Sequence, residues 1–415
     1  MRILLINQCH YRRGGADIVY LSTIDLLRSY GHEVACFSTL NPENEPTEYE
    51  KYFISAPDLR NDSVLKKVKS ITPYLYNKQT VKNLTRLVED FKPDVAQVHL
   101  FYATLSVSVL ETLKKHKIPI VHTVHDYRML CPVNTMMDFH KNICEKCATG
   151  SPFNCILKKC SDGNIVQSTV LALEAYYWRK VKSPISFIDH FHFVSNFCQN
   201  KYQETLPEIK KKSSVQYNFS DVQVISAKDK NIKYYLYYGR LSSQKGVLTL
   251  IEAWKELPAN TILKIVGTGQ QFESVNDYIK NNSLNNVELL GYKSGDELIR
   301  LIQNAYFVVV PSEWYENNPM TIIESYHLGV PVIGANIGGI PEIIDEGKTG
   351  FIFQSKNQSD LRNTILKANK IETKQYQEIS DNCLVFAKTY FSAESNYKYL
   401  IKTFDKVIKE KSTNN

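Results

Sequence analysis

The chain repeats one alternation: a short apolar run rich in β-branched and aromatic residues, then a longer amphipathic stretch. One set of runs covers residues 3–7, 34–38, 95–99, 120–125 and 190–194, and a second covers 234–238, 262–266, 287–290, 307–310 and 331–333. Runs this short, separated by helical patterns, predict parallel strands joined by crossover helices. Strands that read as continuous apolar runs are buried on both faces. The alternation stops at a lysine-rich stretch, residues 207–214, which reads as a turn, and then starts again. The expected class is therefore α/β, with two Rossmann-like doubly wound domains facing across a cleft, at 1–205 and 215–382. The length of 415 residues agrees, being too great for one ordinary core. An amphipathic tail predicts a last helix at about 383–410 that packs back on the first domain.

Composition narrows the class of partner. With 43% hydrophobic and 22% charged residues the chain is an ordinary globular protein. Its net charge of +7 fits phosphates or a membrane surface but is too diffuse for nucleic acid. There is no run of about 18 apolar residues to span a membrane. The first apolar run is too short for a secretory signal, so a cytoplasmic location is expected, with nine reduced cysteines.

Two segments of the second half carry chemistry. Residues 239–246, GRLSSQKG, follow a strand directly and place Arg240 and Lys245 at its carboxyl end. A departing diphosphate needs its developing charge neutralised, by a metal or by fixed cations. No Asp-x-Asp pair occurs in a strand-end loop, which favours the cations. Read alone, the segment is equally a solvated basic turn. Residues 311–339, PSEWYENNPMTIIESYHLGVPVIGANIGG, run from a strand end into a loop, with Pro319 suited to a helix's first turn. Glu316 and Glu324 stand eight positions apart, roughly 12 Å along a helix. Such a pair suits a ligand with hydroxyls at both ends and a phosphate between, since a helix start favours anions. In isolation it is equally a helix with solvated glutamates.

The ordered set resembles the retaining glycosyltransferases of family 4, of the GT-B type. Gly14-Gly15, His125, Val266-Gly267-x-Gly269, the 240–246 loop, Leu290-Gly291-Tyr292, Glu-x7-Glu and Gly338-Gly339-x-Pro-Glu match along almost the whole chain. The resemblance implies sugar transfer from a nucleotide diphosphate donor, UDP- or GDP-linked, with retention, without a metal and with no cofactor in catalysis. Arg240 and Lys245 would hold the diphosphate, Glu316 the sugar hydroxyls and Glu324 the ribose. The N–H groups of Met320 and Thr321 would meet the phosphate or sugar. Gly291 and Tyr292 would lie beside the base, with Gly267 in the donor site. Gly14-Gly15 would approach the donor, and His125 would face its sugar. His99 and Asp126 are acceptor-side candidates. A glycan or lipid-linked acceptor in bacterial surface polysaccharide assembly is implied.

Cys131, Cys144, Cys147, Cys155 and Cys160 fall within thirty residues, and Cys144-x2-Cys147 has metal-type spacing. A subset of family 4 has a similar cysteine-rich segment. The matching residues, Cys131, Cys144, Cys147 and Cys160, would hold a structural zinc; otherwise they are reduced thiols in a loop. Aromatic and basic residues mix at 66–86 and 176–187, which fits peripheral contact with an anionic membrane at its inner face, or ordinary basic helices. A nucleotide-sugar 2-epimerase on the same architecture is an alternative, as is a noncatalytic metal- or nucleic-acid-binding protein built on the cysteines.

Overall fold

The computed structural model describes residues 1–55, 71–225 and 233–413. The basic run that opens at Lys66 therefore begins outside the described residues. The chain forms two compact units, Met1–Gln216 with the segment from Asn396, and Tyr217–Ser395.

The first unit contains β1 (Arg2–Ile6), β2 (Glu33–Phe37), the two-residue β3 (Thr39–Leu40) and β4 (Ile54–Ser55), β5 (Val95–Val98), β6 (Ile120–Val124), β7 (His190–Phe193) and β8 (Ser213–Val215). Six of them make one sheet in the order β2-β1-β5-β6-β7-β8, parallel throughout. In the second unit β9 (Tyr234–Tyr238), β10 (Ile262–Val266), β11 (Val287–Leu289), β12 (Phe307–Val310), β13 (Val332–Ala335) and β14 (Gly350–Phe353) follow the order β11-β10-β9-β12-β13-β14, also parallel. That is the 3-2-1-4-5-6 order of a doubly wound sheet. Strand order reverses between β9 and β12, and in the first unit between β1 and β5. Crossovers leave such a point toward opposite faces, so a crevice opens at the carboxyl ends of the two strands.

β9 shows why an unbroken aromatic run becomes a central strand. Tyr235 and Tyr237 enter the core on one side of the sheet, and Tyr234, Leu236 and Tyr238 enter the core on the other. This is the two-residue period of a strand buried on both faces. A buried phenol needs a partner. Tyr234 donates to the Leu301 carbonyl at 2.7 Å, Tyr235 to Asn369 Oδ1 at 2.8 Å and Tyr237 to the Arg240 carbonyl at 2.9 Å. The last of these ties the strand to the loop that leaves it.

Three local expectations are corrected. The 207–214 stretch is a 3-10 turn, Pro207–Lys212, running into the edge strand β8. The expected helix at 383–410 is two helices, Thr373–Tyr390 and Ala393–Thr413. Phe391 is fully buried in the second unit's core, and its carbonyl accepts from Ser220 N and lies 3.2 Å from His327 Nε2. Ser392 Oγ accepts from Ser395 N and starts the next helix. That helix packs on the first unit, where Tyr397 stacks on Tyr30 at 3.6 Å and Leu400, Phe404 and Val407 enter the core of β1 and β2. Finally, Pro319 is the cap before the helix Met320–His327, not its first residue. Glu316 thus lies outside that helix and Glu324 in its second turn.

The first unit buries His122 and His192 in adjacent strands, and burial pushes both rings down to about 4. The unfolded chain takes up protons near the ordinary value of about 6.5, where the folded chain does not. Stability is therefore complete above that value and falls as pH drops from it toward about 4, by on the order of 1 kcal/mol per ring at about pH 5.5. Denaturant unfolding at neutral pH and at about pH 5.5 checks this. An unchanged midpoint would contradict it.

Candidate active site

At the second unit's switch point, β9 ends in Gly239-Arg240 and β12 ends in Pro311, and the two loops touch. Gly246 has φ +68°, and a Cβ there would lie 1.9 Å from the Pro311 carbonyl oxygen, so only glycine lets the backbones approach. Glu313 N donates to the Gln244 carbonyl at 2.8 Å, and Thr249 Oγ1 donates to the Glu313 carboxylate at 2.5 Å. This seam sets Lys245 against Glu316: Nζ lies 2.5 Å from Oε1, and Ser312 Oγ donates to the same oxygen at 2.9 Å.

Glu316 is 6% exposed. Burial raises its carboxyl pKa, but the charge and hydrogen bond of Lys245, with help from Ser312, outweigh that and hold it below the ordinary value. The carboxylate is therefore ionised and paired. Lys245 also sits over the Trp314 ring, 5.6 Å from its centroid. Arg240 is exposed and joins no ion pair among the described residues. The loop carrying Glu316 is braced from below as well. Gly339 N donates to the Glu316 carbonyl at 2.7 Å, and Gly338, at φ +61°, has that oxygen 2.3 Å from where a Cβ would be.

Glu324 behaves differently. Burial pushes it up to about 7, and its neighbour is the Tyr238 hydroxyl, 3.1 Å from Oε2 and 2.8 Å from the Thr321 carbonyl. Met320 and Thr321 begin the helix, where first-turn N–H groups have no intrahelical acceptor. Gly267 follows β10 and donates from N to the Gly291 carbonyl at 2.7 Å, beside Tyr292, which is 71% exposed. All of these residues lie in loops or a helix start after β9, β10, β11 and β12, on one edge of one sheet. Tyr238 and Ser312, which hold the two glutamates, carry no motif. Their signal is positional: Tyr238 ends β9, and Ser312 is the second residue past β12.

The first unit repeats the arrangement at its own switch point. Gly14 precedes the helix Gly15–Ser29. Asn7, just past β1, donates to Asp17 Oδ1 at 2.8 Å and accepts from Leu100 N at 3.1 Å, which joins the glycine loop to the end of β5. His99 and His125 follow β5 and β6, and His99 Nδ1 lies 2.8 Å from His125 Nε2. Asp126 holds the loop beyond it, accepting from Tyr102 OH, Arg128 N and Asn134 Nδ2.

Cys147, Cys155 and Cys160 pack together. Among the described residues no three His, Cys, Asp or Glu side chains are arranged to hold a metal, so Cys131, Cys144, Cys147 and Cys160 do not fit a preformed centre. Cys155, the residue outside the expected four, is fully buried with Cys147 against Ala172 and Cys160. Burial, reinforced by neighbouring thiols, pushes Cys147 up to about 12, and burial pushes Cys131 up to about 11, so both are neutral thiols.

Two doubly wound units, each with polar groups at its switch point, define a GT-B glycosyltransferase fold. The chain belongs to Glycosyltransferase Family 4, matched over residues 13–224, with Glycosyl transferases group 1 matched over 219–384. The chain is a glycosyltransferase. A protein of the cps region of Klebsiella pneumoniae is 25% identical over 362 residues, 83% of this chain and 87% of that one. A glycosyltransferase of Methanocaldococcus jannaschii is 32% identical over 174 residues, 42% of this chain and 48% of the relative. A lipopolysaccharide 1,2-N-acetylglucosaminetransferase of Salmonella typhimurium is 30% identical over 37% of this chain and 43% of its own length. Among solved structures, sucrose-phosphate synthase of Thermosynechococcus elongatus superposes with a TM-score of 0.73 at 17% identity, over 99% of both chains. Anabaena HepE in complex with UDP-glucose superposes at 0.64 and 18% identity, over 100% of both.

Alanine at Gly338 should lower the unfolding midpoint well beyond alanine at Gly347. Both have positive φ, which costs an alanine about 1–2 kcal/mol, but only Gly338 faces a backbone oxygen; around Gly347 nothing lies within 4 Å. Equal midpoints in thermal unfolding would remove the bracing role of Gly338.

Proposed function

We propose that the chain moves a hexose-type sugar from a UDP- or GDP-linked donor to a glycan or lipid-linked acceptor, with retention and without a catalytic metal. The setting would be assembly of a bacterial surface polysaccharide. One observation carries the reading: where strand order reverses, Lys245 pairs with the buried carboxylate of Glu316, in the loop that also carries the exposed Arg240. The relatives of the cps region and of lipopolysaccharide synthesis support the setting, and the UDP-glucose complex of HepE supports the donor class.

In this reading the bond from the anomeric carbon to the donor phosphate breaks as the acceptor hydroxyl adds on the same face. The hydroxyl's proton passes to the departing phosphate. Arg240 and Lys245 neutralise the charge that grows on the diphosphate, an electrostatic role whose loss costs roughly 10²–10³ in rate per group. Glu316 accepts from sugar hydroxyls and Glu324 from the ribose. Among the described residues no helix is long and apolar enough to cross a membrane. The exposed Tyr176, Lys180 and Val181 at the end of the helix Ile165–Lys180 support peripheral contact with an anionic surface.

Arg240→Ala and Lys245→Ala should each cut turnover by roughly 10²–10³ with the fold intact, and activity should persist in a chelator. Near wild-type turnover in both variants, or complete loss in EDTA by a folded protein, would sink the proposal.

Glu324→Gln should weaken nucleoside diphosphate binding by about tenfold or more, the worth of a charged hydrogen bond to ribose. Because burial holds the carboxyl near pH 7, wild-type affinity should rise with pH as Glu324 ionises, beyond the rise the variant shows from the phosphate alone. Calorimetric titration of both proteins on either side of neutrality is the test. Parallel profiles would leave Glu324 a structural residue.

A further inference from the structure

We propose that Cys155 and Cys160 form an oxidation site, at which hydrogen peroxide converts the two thiols to a disulfide. The site lies within the first unit and does not rest on the proposed sugar transfer.

The backbone sets the pair. The short helix Asn154–Leu157 ends at Lys158, and Lys159 turns left-handed at φ +46°. Cys160 N donates to the Cys155 carbonyl and Lys159 N to the Ile156 carbonyl, both at 3.0 Å. These two bonds are those of a Schellman motif, which folds the residue beyond the left-handed turn back onto the last turn of the helix. The two side chains brought together this way are usually apolar. Here both are thiols, and they hydrogen-bond to each other. A backbone bond between the same two residues also keeps their Cα atoms within the roughly 4.4–6.8 Å that a disulfide spans. The pairing accounts for Cys155, the cysteine that the metal-type spacing leaves over.

The two thiols are unequal. Cys155 is fully buried beside Cys147 and Ala172, and Cys160 packs against them from a half-buried position. The hydrogen bond from Cys155 lowers the Cys160 thiol below its ordinary range, with help from the Lys158 charge and against burial and Asp138. The same bond, with burial, pushes Cys155 up. The thiolate is the attacking form of cysteine, so Cys160 reacts first and Cys155 resolves. Cys131 and Cys147, pushed up to about 11 and about 12, keep their protons, and Cys147 Sγ donates to the Pro152 carbonyl at 3.7 Å.

In the first step the Cys160 thiolate attacks one peroxide oxygen. The O–O bond breaks, hydroxide leaves, and the sulfur becomes a sulfenic acid. In the second step the Cys155 sulfur attacks the Cys160 sulfur. The S–O bond breaks, and the departing hydroxide takes the Cys155 proton. Two thiols and one hydrogen peroxide give one disulfide and two waters; the sulfurs lose the two electrons that the peroxide gains. The bridge pins the left-handed turn at Lys159 and withdraws Cys160 from any set of thiolates.

The test treats the whole reduced protein with hydrogen peroxide, blocks the remaining thiols with iodoacetamide and maps the tryptic peptides by mass spectrometry. Cleavage after Lys158 and Lys159 separates the two cysteines, so the disulfide shows as two joined peptides. Fragmentation distinguishes Cys155 from Cys147, which shares its peptide. The expected result is a Cys155–Cys160 link, with loss of alkylation at both, reversed by a reductant. In Cys155→Ser, Cys160 should be trapped by dimedone as a sulfenic acid; in Cys160→Ser, Cys155 should remain a thiol. Both cysteines still alkylated after peroxide in the wild type, or a link from Cys160 to a different cysteine, overturns the proposal whether or not either variant folds. So does a reduced protein that carries zinc and loses it in Cys160→Ser.

Discussion

Glu316 is a carboxylate buried to 6% exposure, and burial by itself raises its pKa. The ammonium of Lys245, 2.5 Å away, reverses that balance. Most of the second site follows from the need to keep this pair in register. The backbone seam at Gly246 and Pro311 positions the lysine, and the Gly338-Gly339 brace positions the glutamate. A buried ion pair is poor evidence of stability, because desolvation cancels much of its attraction. It is a good device for specificity. On the proposed reading, a ligand that separates the two must supply an anion for Lys245 and hydroxyls for Glu316 together. A free sugar or a free phosphate brings only half, and leaves the other charge buried and alone.

The fold class was legible because its cause is local. Strands buried on both faces must be apolar throughout, and β9, β10 and β12 are strong runs. β8 escaped notice because Ser213–Val215 is short, half-exposed and mostly polar, so it lacks the run that marks an inner strand. The break at Phe391 was hidden by continuity. Apolar residues recur at helical spacing straight through it, and only the burial of Phe391 in another core interrupts the helix.

Legibility of the site divides along the same line. The loop of Arg240 and Lys245 and the Glu316 segment are contiguous motifs, so the sequence pointed at them directly. The His99–His125 contact depends on the register of two parallel strands, in which Val98 pairs with His122. The Tyr238–Glu324 contact likewise joins a strand end to a helix that comes much later in the chain. Neither is encoded by spacing. Cys144-x2-Cys147 is a contiguous spacing, but spacing alone does not tell that Cys155, outside the four, is buried against Cys147 and Cys160.

The two units solve one problem in two ways. Each must place polar side chains at a switch point where the surrounding core excludes water. The second unit uses charge and balances it locally with Lys245 and Glu316. Glu324, which joins no ion pair among the described residues, is pushed up to about 7 by burial. The first unit uses groups that can stay neutral: His99, His122, His125 and His192 are all held below their ordinary range by burial. Neutral imidazoles avoid the cost of burying an isolated ion, but each must then commit its single proton to one nitrogen. A charged site can exchange its internal partner for a ligand's charge. A neutral one can only offer donors and acceptors already fixed by the core. On the proposed reading, charge changes on the leaving group beside the second unit's cations, the kind of exchange a paired charge allows.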